Sequence, residues 1–174
     1  MSASSDDRET GRERSGREKT GLDLLPGCAL HRLVASDWEQ VLTALAERVV
    51  ARGYGKPSLV PAVLARERRF PTGLPTAVPS AIPHTDAQHV RRPGLAVATL
   101  AAPVEFGVMG GTGETLQAEV VVLLCVDDPA RQVAGLQQVL RVLGSPAGIG
   151  ALIAHPDPDT FDAAVKDWLG AEPQ

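Results

Sequence analysis

The sequence predicts a sheet covered by helices, of the α/β or α+β class, on three observations. "GLAVATL" (94 to 100) and "EVVVLLCV" (119 to 126) are continuous apolar runs, the pattern of strands buried on both faces. Segments with apolar residues at helical spacing stand in pairs before and after them. The chain has 174 residues, 44% hydrophobic and only 3% aromatic, enough for one core filled by Leu, Val, Ile and Ala. No internal repeat is visible and no second domain is needed.

The elements follow in order. "CALHRLVA" (28 to 35) is short, apolar and bounded by Pro26-Gly27, which predicts a first strand. In "SDWEQVLTALAERVVARG", Ser36 and Glu39 have capping-box spacing, and Trp38, Val41, Leu42, Leu45 and Val49 recur at helical spacing until Gly53. "GKPSLVPAVLARERRF" predicts a second helix, with Pro57 near a first-turn position and a stripe of Leu59, Val60, Val63, Leu64 and Phe70. Glu67 follows Val63 by four residues, so its carboxylate falls on or beside the apolar face and implies a partner. "PTGLPTAVPS" reads as a loop, and "VEFGVMGGTGETLQ" as a Gly-rich hairpin connection between the two central strands. Asp128-Pro129 opens a helix whose Val133, Leu136, Leu140 and Leu143 form an apolar stripe ended by Gly144. Two short helices complete the chain, one after Ser145-Pro146 and one from about Pro158 to Leu169 that buries Phe161, Val165 and Trp168.

Charge and composition narrow the function. A net charge of -4 provides no basic field for nucleic acid. The longest wholly apolar run, Val120 to Val126, is strand length, against the roughly 20 residues that span a bilayer. "MSASSDDRETGRERSGREKTG" lacks the apolar region of a signal peptide and is too polar to repay its own ordering. Residues 1–22 are therefore expected to be a disordered tail on a cytoplasmic protein, and residues 23–172 its one domain. Cys28 and Cys125 are far apart inside apolar runs and read as small buried hydrophobes.

Of four histidines, His31 lies in the first strand and His155 at a helix end, and both read as structural. His84, in "VPSAIPHTD", is differently placed. Pro83 holds Ile82 extended, so "AIP" should be a strand-like edge that delivers His84 to its end, where partners can reach it. An imidazole with an ordinary pKa of about 6.5 is largely unprotonated at neutral pH, and one nitrogen can attack while the other is held by a hydrogen bond. Thr85 adds a hydroxyl, and Asp86 an acceptor or a cap. On residue types alone, a nucleophile and a satisfied turn histidine both remain open. A third reading is a metal site, since His84, Asp86 and His89 have H-x-D-x-x-H spacing; the positive Arg91-Arg92 and the lack of a fourth ligand nearby oppose it.

The combination of "RERRFPTGLPT" with "AIPHTDAQHV" resembles the signature of the enzyme IIA component of the bacterial sugar phosphotransferase system (PTS), of the fructose/mannitol type (EIIA type 2). The details "FPTGL" and "PHTDAQHV" are most similar to the galactitol-type branch. The likeness continues through "GVMGGTGE", "VVVLLCVDDP" and "QVAGLQQVLRVLG", over roughly residues 25 to 170.

The resemblance implies a central mixed sheet of about five strands with helices on both sides, and a phosphocarrier without cofactor. His84 would accept a phosphoryl group from HPr and pass it to a cysteine of the IIB component, while the membrane IIC component imports the sugar. Arg66 would neutralise the transferring oxygens, and Glu67 would hold that Arg or a nearby backbone donor. Thr85, Asp86 and the backbone after His84 would complete the cradle. Many such proteins carry a second histidine at the start of the helix after the last central strand. Gln132 stands there, able to donate a hydrogen bond but not to carry charge. No IIB cysteine loop and no IIC span is recognisable in the chain. Apolar residues around Gly107 to Gly113 are candidates for docking. A regulatory module, phosphorylated on His84 and acting by binding another protein, would use the same residues.

Overall fold

The computed structural model describes residues 21–172. The expected tail falls almost wholly outside them, but Leu22, placed at its end, is buried and its N–H donates to Gln138 Oε1 at 2.8 Å.

Five strands form one sheet, β1 (Leu24–Leu33), β2 (Gly73–Leu74), β3 (Ser80–Ala81), β4 (Gly94–Gly107) and β5 (Thr115–Cys125), in the order β1-β4-β5-β3-β2. β1 and β4 run parallel, as do β3 and β5, whereas β4 with β5 and β2 with β3 are antiparallel. Helices α1 (Trp38–Ala51) and α2 (Leu59–Arg69) pack on one face, and α3 (Pro129–Leu143), α4 (Pro146–Ile153) and α5 (Phe161–Leu169) on the other. The two apolar runs are continuous because their alternate residues enter two different cores. Val121, Leu123 and Cys125 meet Val41, Leu45, Val49 and Val63, while Val120, Val122 and Leu124 meet Val139, Ile149, Phe161 and Val165. Both cysteines are free and buried there, with burial pushing the Cys28 thiol up to about 11 and the Cys125 thiol up to about 12.

Several boundaries differ from the sequence expectation. β1 starts at Leu24, not at residue 28, because Pro26-Gly27 is a bulge inside an edge strand, where proline is tolerated, and not a boundary. Gly27 takes φ +74° there, donates its N–H to Asp162 Oδ2 at 2.9 Å and accepts from Arg48 Nη1 at 2.9 Å. The cap of α1 is Asp37, whose Oδ1 accepts from Gln40 N at 2.8 Å, one residue after the expected Ser36. α2 begins at Leu59, leaving Pro57 in the preceding turn. The segment read as a loop contains β2 and the first residue of β3, and α5 begins at Phe161, behind a 3-10 turn at Pro158–Thr160. The central hairpin is longer than expected, with β4 running to Gly107 and β5 starting at Thr115.

The stripe of α3 is half as expected. Leu143 is buried and Leu136 packs on the core, but Val133 and Leu140 are 57% and 46% exposed, and Gly135, Val139 and Val142 are buried in their place. Gly135 admits this rotation: a Cβ there would come within 2.5 Å of Leu22 Cδ1, so Leu22 fills the place a side chain would take.

Candidate functional site

The backbone places His84 where the sheet meets α3. Pro83 extends the line of β3, and its carbonyl accepts from Leu124 N at 2.9 Å. His84 thus forms a parallel bridge with Leu124, at the carboxyl end of β5, just before Asp127-Asp128 leads into α3. Ligand sites in open α/β sheets favour such carboxyl ends. The same pairing draws the ring inward. His84 is only 9% exposed, more buried than the expected open strand end, and Thr85 beside it is buried as well.

Both ring nitrogens are engaged. Nδ1 lies 3.1 Å from the carbonyl of Ile82, which can only accept, so Nδ1 carries the proton. Nε2 therefore keeps its lone pair and accepts from Arg66 Nη2 at 3.2 Å. Burial, opposed by the Ile82 hydrogen bond and joined by the charge of Arg66, holds the imidazole pKa below its ordinary 6.5. At neutral pH the ring is uncharged, with a lone pair on Nε2 beside a cation.

Arg66 is supplied by the last turn of α2. Its guanidinium lies 5.2 Å from the centroid of Phe70 and its Nη1 is 3.8 Å from Asp86 Oδ1, while its Nε is buried without a hydrogen-bond partner. Asp86 caps the 3-10 turn Ala87–His89 by backbone only, which leaves its carboxylate to Arg66. The Asp86 side chain is 73% exposed, so this pair contributes at most about 1 kcal/mol and holds Arg66 loosely. A guanidinium kept by one weak ion pair, one ring and one imidazole can turn its fork toward an arriving anion.

Glu67, adjacent to Arg66, points elsewhere. It is 4% exposed on the inner face of α2 and accepts from Thr72 N at 2.9 Å and Thr72 Oγ1 at 2.8 Å. Burial raises its pKa, partly offset by the two Thr72 bonds and by Arg66. The partner predicted for this carboxylate is thus a backbone donor, and the alternative, a hold on Arg66, is not what the structure forms. Gln132 is half-buried in the first turn of α3, at the same end of the sheet, and no hydrogen bond joins it to His84.

The His84, Asp86, His89 grouping is not assembled. His89 Nδ1 pairs with Ser58 Oγ at 2.8 Å, and among the described residues no three His, Cys, Asp or Glu side chains are placed to hold a metal ion. His31 and His155 lie together elsewhere, His31 Nε2 donating to the His155 carbonyl at 2.6 Å and both rings packing on Phe161.

Sequence reasoning missed three contributors: Ile82, Thr72 and Phe70. Ile82 acts through its carbonyl, which no residue type reveals. Thr72 carried a weak signal, a lone hydroxyl five residues after a carboxylate on an apolar face. Phe70, expected on the apolar stripe of α2, is 55% exposed, and Met109, 43% exposed, donates its N–H to Gly73 O at 2.8 Å, three residues beyond Phe70 in sequence.

Among the described residues, no helix is long and apolar enough to cross a membrane. Residues 26–168 match the family model described as "Phosphoenolpyruvate-dependent sugar phosphotransferase system, EIIA 2". The galactitol-specific EIIA component of Escherichia coli K12 is 27% identical over 137 residues, covering 78% of this chain and 91% of that protein. Two solved Escherichia coli structures share the fold. One is mannitol IIA, with a TM-score of 0.65 and 22% identity over 82% of this chain and 96% of its own. The other is the complex of enzyme IIA and phosphorylated enzyme IIB for mannitol, with a TM-score of 0.67 and 22% identity over 86% of this chain and 98% of the matched one. With a match that spans most of its length and a mixed sheet between two helical layers, the chain belongs to the EIIA 2 family of the phosphoenolpyruvate-dependent sugar phosphotransferase system.

Proposed function

We propose that His84 is the phosphoryl carrier of a sugar-specific IIA component, taking the group from phosphorylated HPr and giving it to a cysteine of a IIB component in the cytoplasm. The observation that carries this reading is the division of labour on the ring, with the Nδ1 proton held by Ile82 O and the Nε2 lone pair facing Arg66. The lone pair attacks phosphorus, the new N–P bond forms on Nε2 as the donor's N–P bond breaks, and Nδ1–H stays on Ile82. No proton has to leave His84 during the transfer. Charge in a loose phosphoryl-transfer transition state spreads over equatorial oxygens, and Arg66 turns from Nε2 to meet them.

Onward transfer forms an S–P bond on a IIB thiolate as the Nε2–P bond breaks, and leaves the ring neutral with its Nε2 lone pair restored. The complex of mannitol IIA with phosphorylated IIB supports IIB as the acceptor, and similarity to the galactitol-specific component supports sugar uptake over a purely regulatory role. The sugar would be recognised by the membrane component, IIC. Phe70, exposed beside Arg66, and Met109, exposed and tied to Gly73, would form part of the docking rim for both partners. Gln132 would donate a hydrogen bond to the bound phosphoryl group, and Thr85 would support the loop.

The test is incubation with phosphoenolpyruvate, enzyme I and HPr, followed by addition of a IIB component. One acid-labile phosphoryl group per chain, chased onto the IIB cysteine, is the expected result. A chain that stays unlabelled with active donors would refute the reading.

A further inference from the structure

Glu67 does not touch His84, yet it is joined to it by an unbroken series of hydrogen bonds. Its two oxygens accept from Thr72 N and Thr72 Oγ1, the Thr72 carbonyl accepts from Ile82 N at 3.2 Å, and the Ile82 carbonyl accepts from His84 Nδ1 at 3.1 Å. Resting on the reading of His84 as the nucleophile, we infer that Glu67 is a positioning residue which fixes the ring's tautomer and its presentation from a distance. Neighbouring residues of one helical turn thereby address both nitrogens of one imidazole: Arg66 meets Nε2 directly, and Glu67 governs Nδ1 through Thr72 and Ile82.

The influence is one of place. Thr72 N–H and Thr72 C=O belong to different peptide groups separated by a tetrahedral carbon, so polarisation does not pass along the series as it would through one amide. Place matters here because β2 and β3 are two residues each and meet only at Gly73 with Ala81 and Leu74 with Ser80, and of the two β3 alone is laddered to β5, at Ser80 with Val120 and Ala81 with Val121. A ribbon that short is not stable by itself. β5 fixes the β3 side of it, and β2, with Thr72 just before it, depends on two further holds. A Cβ on Gly73 would come within 2.5 Å of Gly107 O, which shows how closely β2 is pressed against the end of β4. On the other side, the Glu67 carboxylate holds Thr72 by both of its donors. β5 sets the height of Ile82 through Ala81 and Pro83, and the Thr72 carbonyl adds the bond to Ile82 N that sets its tilt; if Thr72 shifts, Ile82 O tilts from Nδ1, and the proton can settle on Nε2, where it blocks attack.

The experiment is a long-range 1H–15N spectrum of the unphosphorylated full chain carrying 15N-histidine, with thermal unfolding followed in parallel. The wild type should show a protonated Nδ1 and an unprotonated Nε2 at His84. Glu67→Ala should mix the two tautomers and slow labelling by phosphorylated HPr on the order of 10-fold to 10²-fold, in kcat more than in KM. Glu67→Gln, which retains an acceptor for Thr72 N–H, should recover most of both. If Glu67→Ala does not fold, Thr72→Val decides, since it removes only the hydroxyl link and should move tautomer and rate in the same direction by less, with Thr72→Ser restoring them. Wild-type ring shifts and rate in a folded Glu67→Ala or in Thr72→Val would overturn the inference. The ring spectrum needs no phosphoryl transfer. A wild type with the expected tautomer that HPr cannot label would sink the carrier reading and leave the relay standing.

Discussion

Two histidine clusters in this molecule start from the same contact and end in different chemistry. His31 and His84 each give a ring N–H to a backbone carbonyl, His155 O in one case and Ile82 O in the other. Around His31 the remaining neighbours are His155 and Phe161, rings that pack edge-on and ask nothing of it. Around His84 the second nitrogen meets a guanidinium whose other holds are weak. What separates a structural imidazole from a candidate nucleophile is therefore chiefly the group at the second nitrogen. A ring hydrogen bond to a carbonyl is common to both, while His31 is half-buried and His84 buried.

The difference can be broken most severely at the nucleophile. His84→Ala should abolish labelling from phosphoenolpyruvate, enzyme I and HPr while its circular dichroism stays that of the wild type. His31→Ala should be labelled in full. Next in size is Arg66→Ala, which removes the charge at Nε2. Labelling should slow on the order of 10², the magnitude expected for loss of one preorganised charge donor, and quench-flow with phosphorylated HPr would measure it. An unchanged rate would make Arg66 a solvated surface residue.

A third test sharpens the electrostatic side. Burial and Arg66 lower the His84 pKa, so the neutral ring persists as pH falls through 6.5, and the labelling rate should hold there and decline only at lower pH. The sign for stability follows by linkage. The folded state binds this proton more weakly than the unfolded chain, so the contribution of His84 is present above about pH 6.5 and is lost as pH falls through the folded pKa. Rates that halve already above pH 6.5 would contradict the lowered value. At the structural cluster, His31→Ala should cost about 1–3 kcal/mol in urea unfolding through one lost bond and lost packing on Phe161, with no change in the pH profile of labelling. The smallest effect belongs to α3, where Leu140→Gln on the exposed stripe should stay within about 0.5 kcal/mol.

That last residue shows where the sequence was legible and where it was not. The double-sided strands were readable because alternation into two cores leaves no polar residue in "VVVLLCV", and the sheet between two helical layers followed. The face of α3 was legible only in part, because Val133 and Leu140 fit a helical stripe with Leu136 and Leu143 as well as Gly135, Val139 and Val142 do. The docking of Leu22 into the Gly135 notch favours the second set, and that contact spans most of the chain. At the candidate site, His84, Arg66 and Asp86 were readable as residue types and the structure brings them together. The roles of Thr72 and Ile82 were not, because they act through backbone atoms whose positions depend on tertiary pairing.

The most direct measurement of the central claim is a long-range 1H–15N spectrum of the chain after phosphorylation by HPr, with 31P coupling resolved at His84. The account predicts phosphorus on Nε2 and a proton still on Nδ1, in slow exchange because Ile82 O retains it. Phosphorus on Nδ1, or on any residue other than His84, would contradict it.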